Sequence, residues 1–299
     1  MTTILTTGGS GFLGSILTNR LRGTEFSIVD LNHAGKKRTD ICQPFDLSVN
    51  ADVVLHAAGK AHFVPRNKKE EHEFFSINFE GTKNLCKAIE KRKDLPRAFI
   101  FISTVAVYGL EEGYNISEDY PLLGKSPYAL SKIQAENWLR EWTSTLGIRL
   151  SILRLPLIAG PKPPGNLNSM IEGIRSGKYL SIGLANARKS IVWAEDIASI
   201  IPCVIEKGGI YNLSDDCHPT FGELENTIAI ALNKRKPLKV PYWVAKGLAK
   251  TGDIVGQRFP INSEKLRKIT STLTFDDSKA KEQLRWRPTP VLSKISDML

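Results

Sequence analysis

The 299-residue sequence contains no apolar run approaching the ~20 residues of a membrane-spanning helix. It opens Met1-Thr2-Thr3-Ile4-Leu5-Thr6, with no basic segment and no small-residue cleavage site, so no signal peptide is expected. Cysteine is scarce: Cys42, Cys86, Cys203 and Cys217 lie far apart and form no CxxC pair. Reduced thiols in a cytoplasmic protein are the expectation. Five scattered histidines offer no ligand spacing, so no metal site is expected. Internal repeats and low-complexity tracts are also missing.

Acidic residues are outnumbered, 31 against 41 basic ones, for a net charge of +10. The basic clusters Lys36-Lys37-Arg38, Lys234-Arg235-Lys236 and Arg285-Trp286-Arg287 are dispersed and lack a nucleic-acid motif, so a nucleic-acid partner is not expected. The charge reads first as a solvated basic surface, with a positive field that attracts a nucleotide diphosphate as the alternative. With 41% hydrophobic residues and this length, the chain can bury roughly three quarters of its unfolded surface.

The first half alternates short apolar strands with helical stretches. Strands are predicted at Ile4–Thr7, Phe26–Asp30, Asp52–Ala58, Ala98–Ser103 and Arg149–Leu155, and helices at Gly14–Leu21, Phe74–Lys93 and Pro127–Leu146. Continuous apolar strands between helices predict an α/β fold, a doubly wound parallel sheet covered on both faces. Between Asp30 and Asp52 the expected helix is reduced to a loop. The turn-rich run Gly160-Pro161-Lys162-Pro163-Pro164-Gly165 marks a boundary. It separates a nucleotide-binding domain over 1–158 from a smaller, mainly substrate-binding domain over 159–299. A segment near 190–215, with a strand at Gly209–Ser214, returns to the main sheet. Tyr242–Ile254 has the composition of an interfacial helix but reads as one packing on the smaller domain.

The run Gly8, Gly9, Ser10, Gly11, Phe12, Leu13, Gly14 follows the first strand and opens a helix. Glycines there permit a tight turn and let backbone N–H groups reach a pyrophosphate at the helix N-terminus. Asp30 ends the second strand, where a carboxylate can accept both ribose hydroxyls of an adenosine. It would repel a 2′-phosphate, favouring NAD, whereas Lys36, Lys37 and Arg38 leave NADP open. Asp40 and Ile41 are candidates for an adenine contact, with Asp46-Leu47 competing. Tyr128 and Lys132 lie one helical turn apart. An ammonium close by and a nicotinium ring would favour the tyrosinate, bringing the tyrosine pKa from near 10 toward working pH. Thr104, or alternatively Ser103, ends a buried strand and can hydrogen-bond a reacting oxygen.

Together these pieces resemble the extended short-chain dehydrogenases/reductases, in the nucleotide-sugar epimerase/dehydratase branch. The resemblance adds His56-Ala57-Ala58-Gly59, Asn78-Phe79-Glu80-Gly81-Thr82, Leu153-Arg154-Leu155-Pro156 and Leu284-Arg285-Trp286-Arg287-Pro288, so it spans nearly the whole chain. It implies a Rossmann domain with a smaller nucleotide-sugar domain, and Thr104, Tyr128 and Lys132 as the catalytic triad. It also implies that Ala57, Ala58, Gly59, Asn78 and Leu155 line or brace the cofactor site. Asn166 and Leu167 fall where the family meets the sugar-nucleotide diphosphate, and Arg188-Lys189 where a basic residue meets the nucleotide. The family's arginine aligns with Lys189, a point charge without a bidentate fork, so Arg188 is the alternative. A homodimer built on the helices Phe74–Lys93 and Pro127–Leu146 is common in this family.

Two departures bear on the reaction. Galactose-type 4-epimerases carry an asparagine shortly after the Leu-Arg pair, where this chain has Leu155-Pro156-Leu157. Val105-Ala106 offers no acid pair for a dehydratase. The resemblance implies, with Asp30 leaning toward NAD, an NAD-dependent 4-epimerase of a UDP-hexose or UDP-N-acetylhexosamine, whereas the lost asparagine leans toward a reductase. The alternative is an NAD(P)H-dependent reductase of a UDP-4-keto-6-deoxy-hexosamine in bacterial polysaccharide biosynthesis. A non-catalytic dinucleotide sensor would not need the triad, and a steroid- or flavonoid-type reductase would not need Asn166, Arg188 and Lys189.

Overall fold

The computed structural model describes residues 1–32, 39–61, 64–255 and 262–299. The chain opens on β1 (Thr2–Thr7), turns into α1 (Phe12–Leu21) and returns as β2 (Phe26–Asp30). Next come β3 (Val53–His56), α2 (Lys68–Phe75), a π-helical turn at Ser76–Glu80 and α3 (Gly81–Glu90). β4 (Ala98–Thr104) runs through a 3-10 turn at Val105–Tyr108 to β5 (Gly113–Ile116), α4 (Pro127–Leu146) and β6 (Arg149–Leu155). There follow β7 (Leu157–Ala159), α5 (Gly165–Arg175), β8 (Leu180–Ile182), β9 (Ile191–Trp193), α6 (Ala194–Ser199), α7 (Ile201–Lys207) and β10 (Gly209–Asn212). The chain closes with α8 (Phe221–Ala231), β11 (Leu238–Val240), α9 (Tyr242–Val255), α10 (Ser263–Thr270), β12 (Leu273–Phe275), α11 (Ser278–Leu284) and α12 (Ile295–Met298).

The central sheet has six parallel strands in the order β2-β1-β3-β4-β6-β10. Alternation along the strands feeds two cores. Ile4, Ile100 and Ile102 pack on one face with Leu17, Val204 and Trp286, while Leu5, Phe99 and Phe101 pack on the other with Leu85, Leu139 and Trp142. This is the period-2 geometry of strands buried on both sides. A third cluster around Leu167, Ile171, Leu224 and Ile295 lies apart from the sheet. The chain order reverses at β1, with β2 on one side and β3 on the other, which makes this edge the topological switch point.

Elements with strong local signals match closely. The α4 boundaries are those expected: Ser126 accepts a hydrogen bond from Ala129 N, Pro127 takes the first turn, and Gly147 ends the helix with positive φ. Residues 39–52 hold neither helix nor strand, as anticipated, and Lys36, Lys37 and Arg38 lie outside the described residues. The helix expected over 74–93 instead starts at Lys68, where Asn67 caps it, and is broken by the π-turn. Its first turns read Lys-Lys-Glu-Glu-His-Glu and carry no apolar period to detect. Equally unforeseen, α11 and Trp286 pack on the main sheet.

Glu136 on α4 and Arg154 on β6 form a buried pair that ties the helix to the sheet. Arg154 Nη2 donates to Glu136 Oε2 at 2.7 Å and its Nε to Oε1 at 3.2 Å. Its Nη1 reaches Tyr108 Oη and the Glu118 carbonyl at 3.1 and 3.0 Å. Glu136→Ala should lower the unfolding free energy by about 3–5 kcal/mol, because it strands the buried guanidinium. Replacing both partners by apolar residues of similar volume should cost far less. Urea denaturation measures both, and equal losses would contradict a satisfied ion pair.

Candidate active site

The glycine run crosses the switch point with backbone packed on backbone. A Cβ on Gly8, where φ is +74°, would stand 2.6 Å from Ala58 N, and one on Gly14 2.1 Å from the Gly8 carbonyl oxygen. Gly11 N donates to that same oxygen at 2.9 Å, closing the turn. No side chain caps α1 at Gly11, so its first-turn N–H groups remain available to an anion. Ser10 is exposed beside Gly11, whereas Phe12 and Leu13 are half-buried, Leu13 against the core. The surroundings fit a dinucleotide diphosphate: open N–H donors and no intruding Cβ.

Asp30 closes β2 directly against this loop, since a Cβ on Gly9 would fall 1.8 Å from its Oδ2. Its Oδ1 accepts from Asn32 N at 2.8 Å. The two candidate aspartate pairs diverge along α3. Ile41 packs on Gly81 at the helix start, and its carbonyl accepts from Asn84. Asp40 lies exposed beside it and accepts from Cys42 N. Asp46 pairs with Lys91 just past the helix end, and Arg92 holds the Leu47 carbonyl, at the opposite edge of the sheet. Only Asp40 and Ile41 are on the glycine-loop side.

The segment after β3 is braced by a buried polar chain. Ala58 N donates to Thr7 Oγ1 at 3.2 Å, and Thr7 Oγ1 meets His56 Nδ1 at 2.5 Å. On the other ring side, His56 Nε2 meets Thr82 Oγ1 at 2.8 Å, and Thr82 donates to the Asn78 carbonyl at 2.7 Å. Thr82 spends its proton on that carbonyl, so His56 donates from Nε2 and accepts at Nδ1. The ring is thus neutral, and burial, with the Lys132 charge adding to it, lowers its pKa to about 3. Asn78, inside the π-turn, receives Lys60 N at 2.7 Å and donates to the Lys60 carbonyl and Ser131 Oγ. Ser131 in turn donates to the Tyr128 carbonyl at 2.8 Å. π-turns recur at functional sites, and this one faces the catalytic candidates. His56, Thr7, Thr82 and Ser131 carry no local signal of this role.

Thr104, Tyr128 and Lys132 come together at the C-terminal edge of the sheet. Thr104 Oγ1 accepts from Ala106 N at 3.2 Å, and the Thr104 hydroxyl is near enough to Tyr128 to draw its pKa down. Lys132 Nζ donates to the Ile102 carbonyl at 2.9 Å and lies against Gly59, where a Cβ would stand 3.2 Å away. Ser103 points the other way and donates to Glu136 Oε1 at 2.5 Å, which removes it as the alternative to Thr104. Burial pushes Tyr128 above its ordinary pKa, and the pull downward comes from Thr104 rather than from the Lys132 ammonium. Burial likewise lowers Lys132 to about 8, with Glu136 one turn along opposing it.

The remaining candidates are dispersed around this edge. Leu155 pairs in register with Thr104, but its side chain is buried in the core. Asn166 is exposed in the first turn of α5, an N-terminus without a side-chain cap. The Leu167 side chain is buried in the third core cluster, so only its backbone could reach a ligand. Arg188 is engaged away from the triad, its Nη1 donating to the His218 carbonyl at 3.0 Å and lying 4.0 Å from Glu223. Lys189 faces Glu111 and Glu112 beyond the 3-10 turn, and burial lowers its pKa to about 8. Alternation along the extended backbone therefore separates the two bases, and Lys189 is the one on the β4 side.

A proton titration of His56 followed by NMR should show no midpoint between pH 8 and 5. With the folded pKa depressed from 6.5 to about 3, the neutral ring contributes stability in full above pH 6.5. That contribution, on the order of 4 kcal/mol, is lost as pH falls from 6.5 toward 3. A midpoint near 6.5 would contradict the buried neutral ring.

Comparison with known proteins agrees with this geometry. The chain is 29% identical over 217 residues to the N-acetyl-alpha-D-glucosaminyl-diphospho-ditrans,octacis-undecaprenol 4-epimerase of Escherichia coli O157:H7, covering 69% of this chain and 65% of that one. It thus spans just under two thirds of that relative's length. It is 28% identical to the UDP-glucose 4-epimerase of Vibrio cholerae over 97% of this chain and 92% of that one. Among solved structures it resembles RMD of Pseudomonas aeruginosa complexed with NADPH, with TM-score 0.79, 21% identity and coverage of 99% and 97%. The model of the NAD dependent epimerase/dehydratase family matches residues 4–214, and the chain belongs to that family.

Proposed function

We propose that the protein is an NAD-dependent 4-epimerase of a UDP-hexose or UDP-N-acetylhexosamine. The observation that carries this reading is the convergence of Thr104, at the end of β4, with Tyr128 and Lys132 on α4, where Lys132 lies beside Gly59 and donates to the Ile102 carbonyl. The two curated relatives are named as 4-epimerases of sugars carried on a diphosphate, which supports the same chemistry here. The cofactor would lie along the glycine run, its diphosphate at the α1 N-terminus, its adenosine ribose at Asp30 and its adenine near Asp40 and Ile41. Ala57, Ala58 and Leu155 would form the wall beside it. Residues 1–158 would then act as the cofactor domain and 159–299 mainly as the sugar-nucleotide domain, with two copies paired through α2–α3 and α4.

In this mechanism Tyr128 takes the proton from the sugar 4-hydroxyl, and Thr104 orients that oxygen. Lys132 holds the nicotinamide ribose and keeps positive charge near the phenol. NAD, when bound, would supply a hydride acceptor for C4 of the sugar and a donor to the other face of the 4-keto sugar, and its ring charge would favour the tyrosinate. Tyr128 then gives its proton back to the new 4-hydroxyl. Lys189, Asn166 and the Leu167 backbone are the groups for the substrate diphosphate.

A second reading, the 4-keto reductase, is favoured by the apolar Leu155-Pro156-Leu157 stretch and by a Tyr128 that burial keeps protonated and ready to donate. Mass spectrometry of dinucleotide released from the denatured protein separates the two. Stoichiometric NAD is the expected result, and an empty protein preferring NADPH would replace the first reading by the second. Tyr128→Phe should lower turnover by about 10²–10⁴-fold while dinucleotide binding persists, measured by kinetics and calorimetry. Retained turnover would remove Tyr128 from the mechanism.

A further inference from the structure

Helix α9 is turned inside out with respect to residue size. Its inward face is made of Ala245, Ala249 and Gly252, which pack near Leu266, Ile182 and Val240. Its bulky apolar residues point outward: Trp243 is 76% exposed, Leu248 45%, Ile254 87% and Val255 54%. Trp243 and Ile254 are three helical turns apart and share one line, and Leu248 and Val255 share a second line roughly 120° around the helix, between it and the buried face. A helix selected only to pack on this domain would bury the large residues and expose the small ones.

The exposed face extends beyond the helix. Leu184, 80% exposed, and Tyr242 line an open depression of about 390 Å³ with Gly183, Lys239, Val240 and Pro241. Leu238 and Leu180, paired across β11 and β8, are exposed on the same small sheet. Contiguous apolar surface of this kind marks an interaction site.

The charges around it are basic. Lys246 and Lys250 sit one turn apart along the edge that Trp243 and Ile254 form, opposite Leu248 and Val255, and Lys239, Lys236, Arg235 and Lys234 are exposed along the preceding segment. The acids among the described residues of α9 and α10 are engaged locally: Asp253 accepts from Ser263 N and Oγ, and Glu264 pairs with Lys268. Pairing with a second copy about a twofold axis would set basic rim against basic rim.

We propose that this face docks on an anionic lipid surface, with α9 lying in the plane of the interface. The apolar line would enter the acyl boundary, Trp243 and Tyr242 would sit at the headgroup level, and the lysines would meet lipid phosphates. Spanning is not involved, since no helix among the described residues is long and apolar enough to cross a membrane.

The test is co-sedimentation of the full chain with phosphatidylcholine vesicles, with and without phosphatidylglycerol. Binding is expected only where phosphatidylglycerol is present, and it should weaken as salt rises. Trp243→Ser with Ile254→Ser should abolish it, and Lys246→Gln and Lys250→Gln should each weaken it about fivefold. Lys87→Gln, an exposed change on α3, should leave it unchanged. Melting temperature establishes that each variant is folded. Absence of sedimentation, equal binding to neutral vesicles, or variants without effect would overturn the proposal. A dimer in vesicle-free solution that Trp243→Ser disrupts would overturn it too, naming a second copy as the occupant.

Discussion

The site depends on one buried carboxylate. Glu136 lies on α4 one turn beyond Lys132 and accepts from Arg154 on β6 and from Ser103 on β4. Those bonds hold the helix carrying Tyr128 and Lys132 in fixed register with the strand ending at Thr104. Ionised carboxylate and guanidinium satisfy each other in a place water does not reach, so neither can be moved alone without a large penalty. The same carboxylate opposes the loss of charge that burial imposes on Lys132. It also occupies the Ser103 hydroxyl, which leaves Thr104 as the hydroxyl that meets Tyr128.

A second constraint runs from the glycine turn to the π-turn. Neutral His56 links Thr7 to Thr82, and Asn78 links Lys60 to Ser131 on α4. Four separate chain segments therefore share one hydrogen-bonded frame at the C-terminal edge of the sheet. Because each buried polar group in it has a partner, the frame is rigid without a metal or a disulfide. Gly8 and Gly14 complete it by letting backbone approach backbone, and Gly9 by leaving room for the Asp30 carboxylate.

Features set by local chemistry were legible in the sequence. The α4 boundaries follow from Ser126, Pro127 and Gly147, and the parallel sheet from its unbroken apolar strands. The glycine spacing predicted a tight turn between the first strand and a helix, and Gly8 and Gly11 close that turn ahead of α1. What depends on partners distant in sequence was not legible. The Glu136–Arg154 pair joins residues with no periodic relation, and only its geometry distinguishes Thr104 from Ser103. Asp40 and Asp46 differ only in which end of α3 they reach. The burial that raises Tyr128 was not legible either, since helical spacing places Lys132 one turn away but does not show how deeply both side chains lie. Arg188 and Lys189 are adjacent in sequence, yet one faces Glu223 and the other Glu111 and Glu112.

The central claim is that this edge moves a hydride at C4 and returns it to the same sugar. The most direct measurement uses UDP-N-acetylglucosamine carrying deuterium at C4, incubated with the protein without added dinucleotide. The account predicts the 4-epimer with deuterium retained at C4, because the label leaves and returns as hydride on a held cofactor. Loss of the label to water, or no epimer formed from this substrate or from UDP-glucose labelled in the same way, would contradict it.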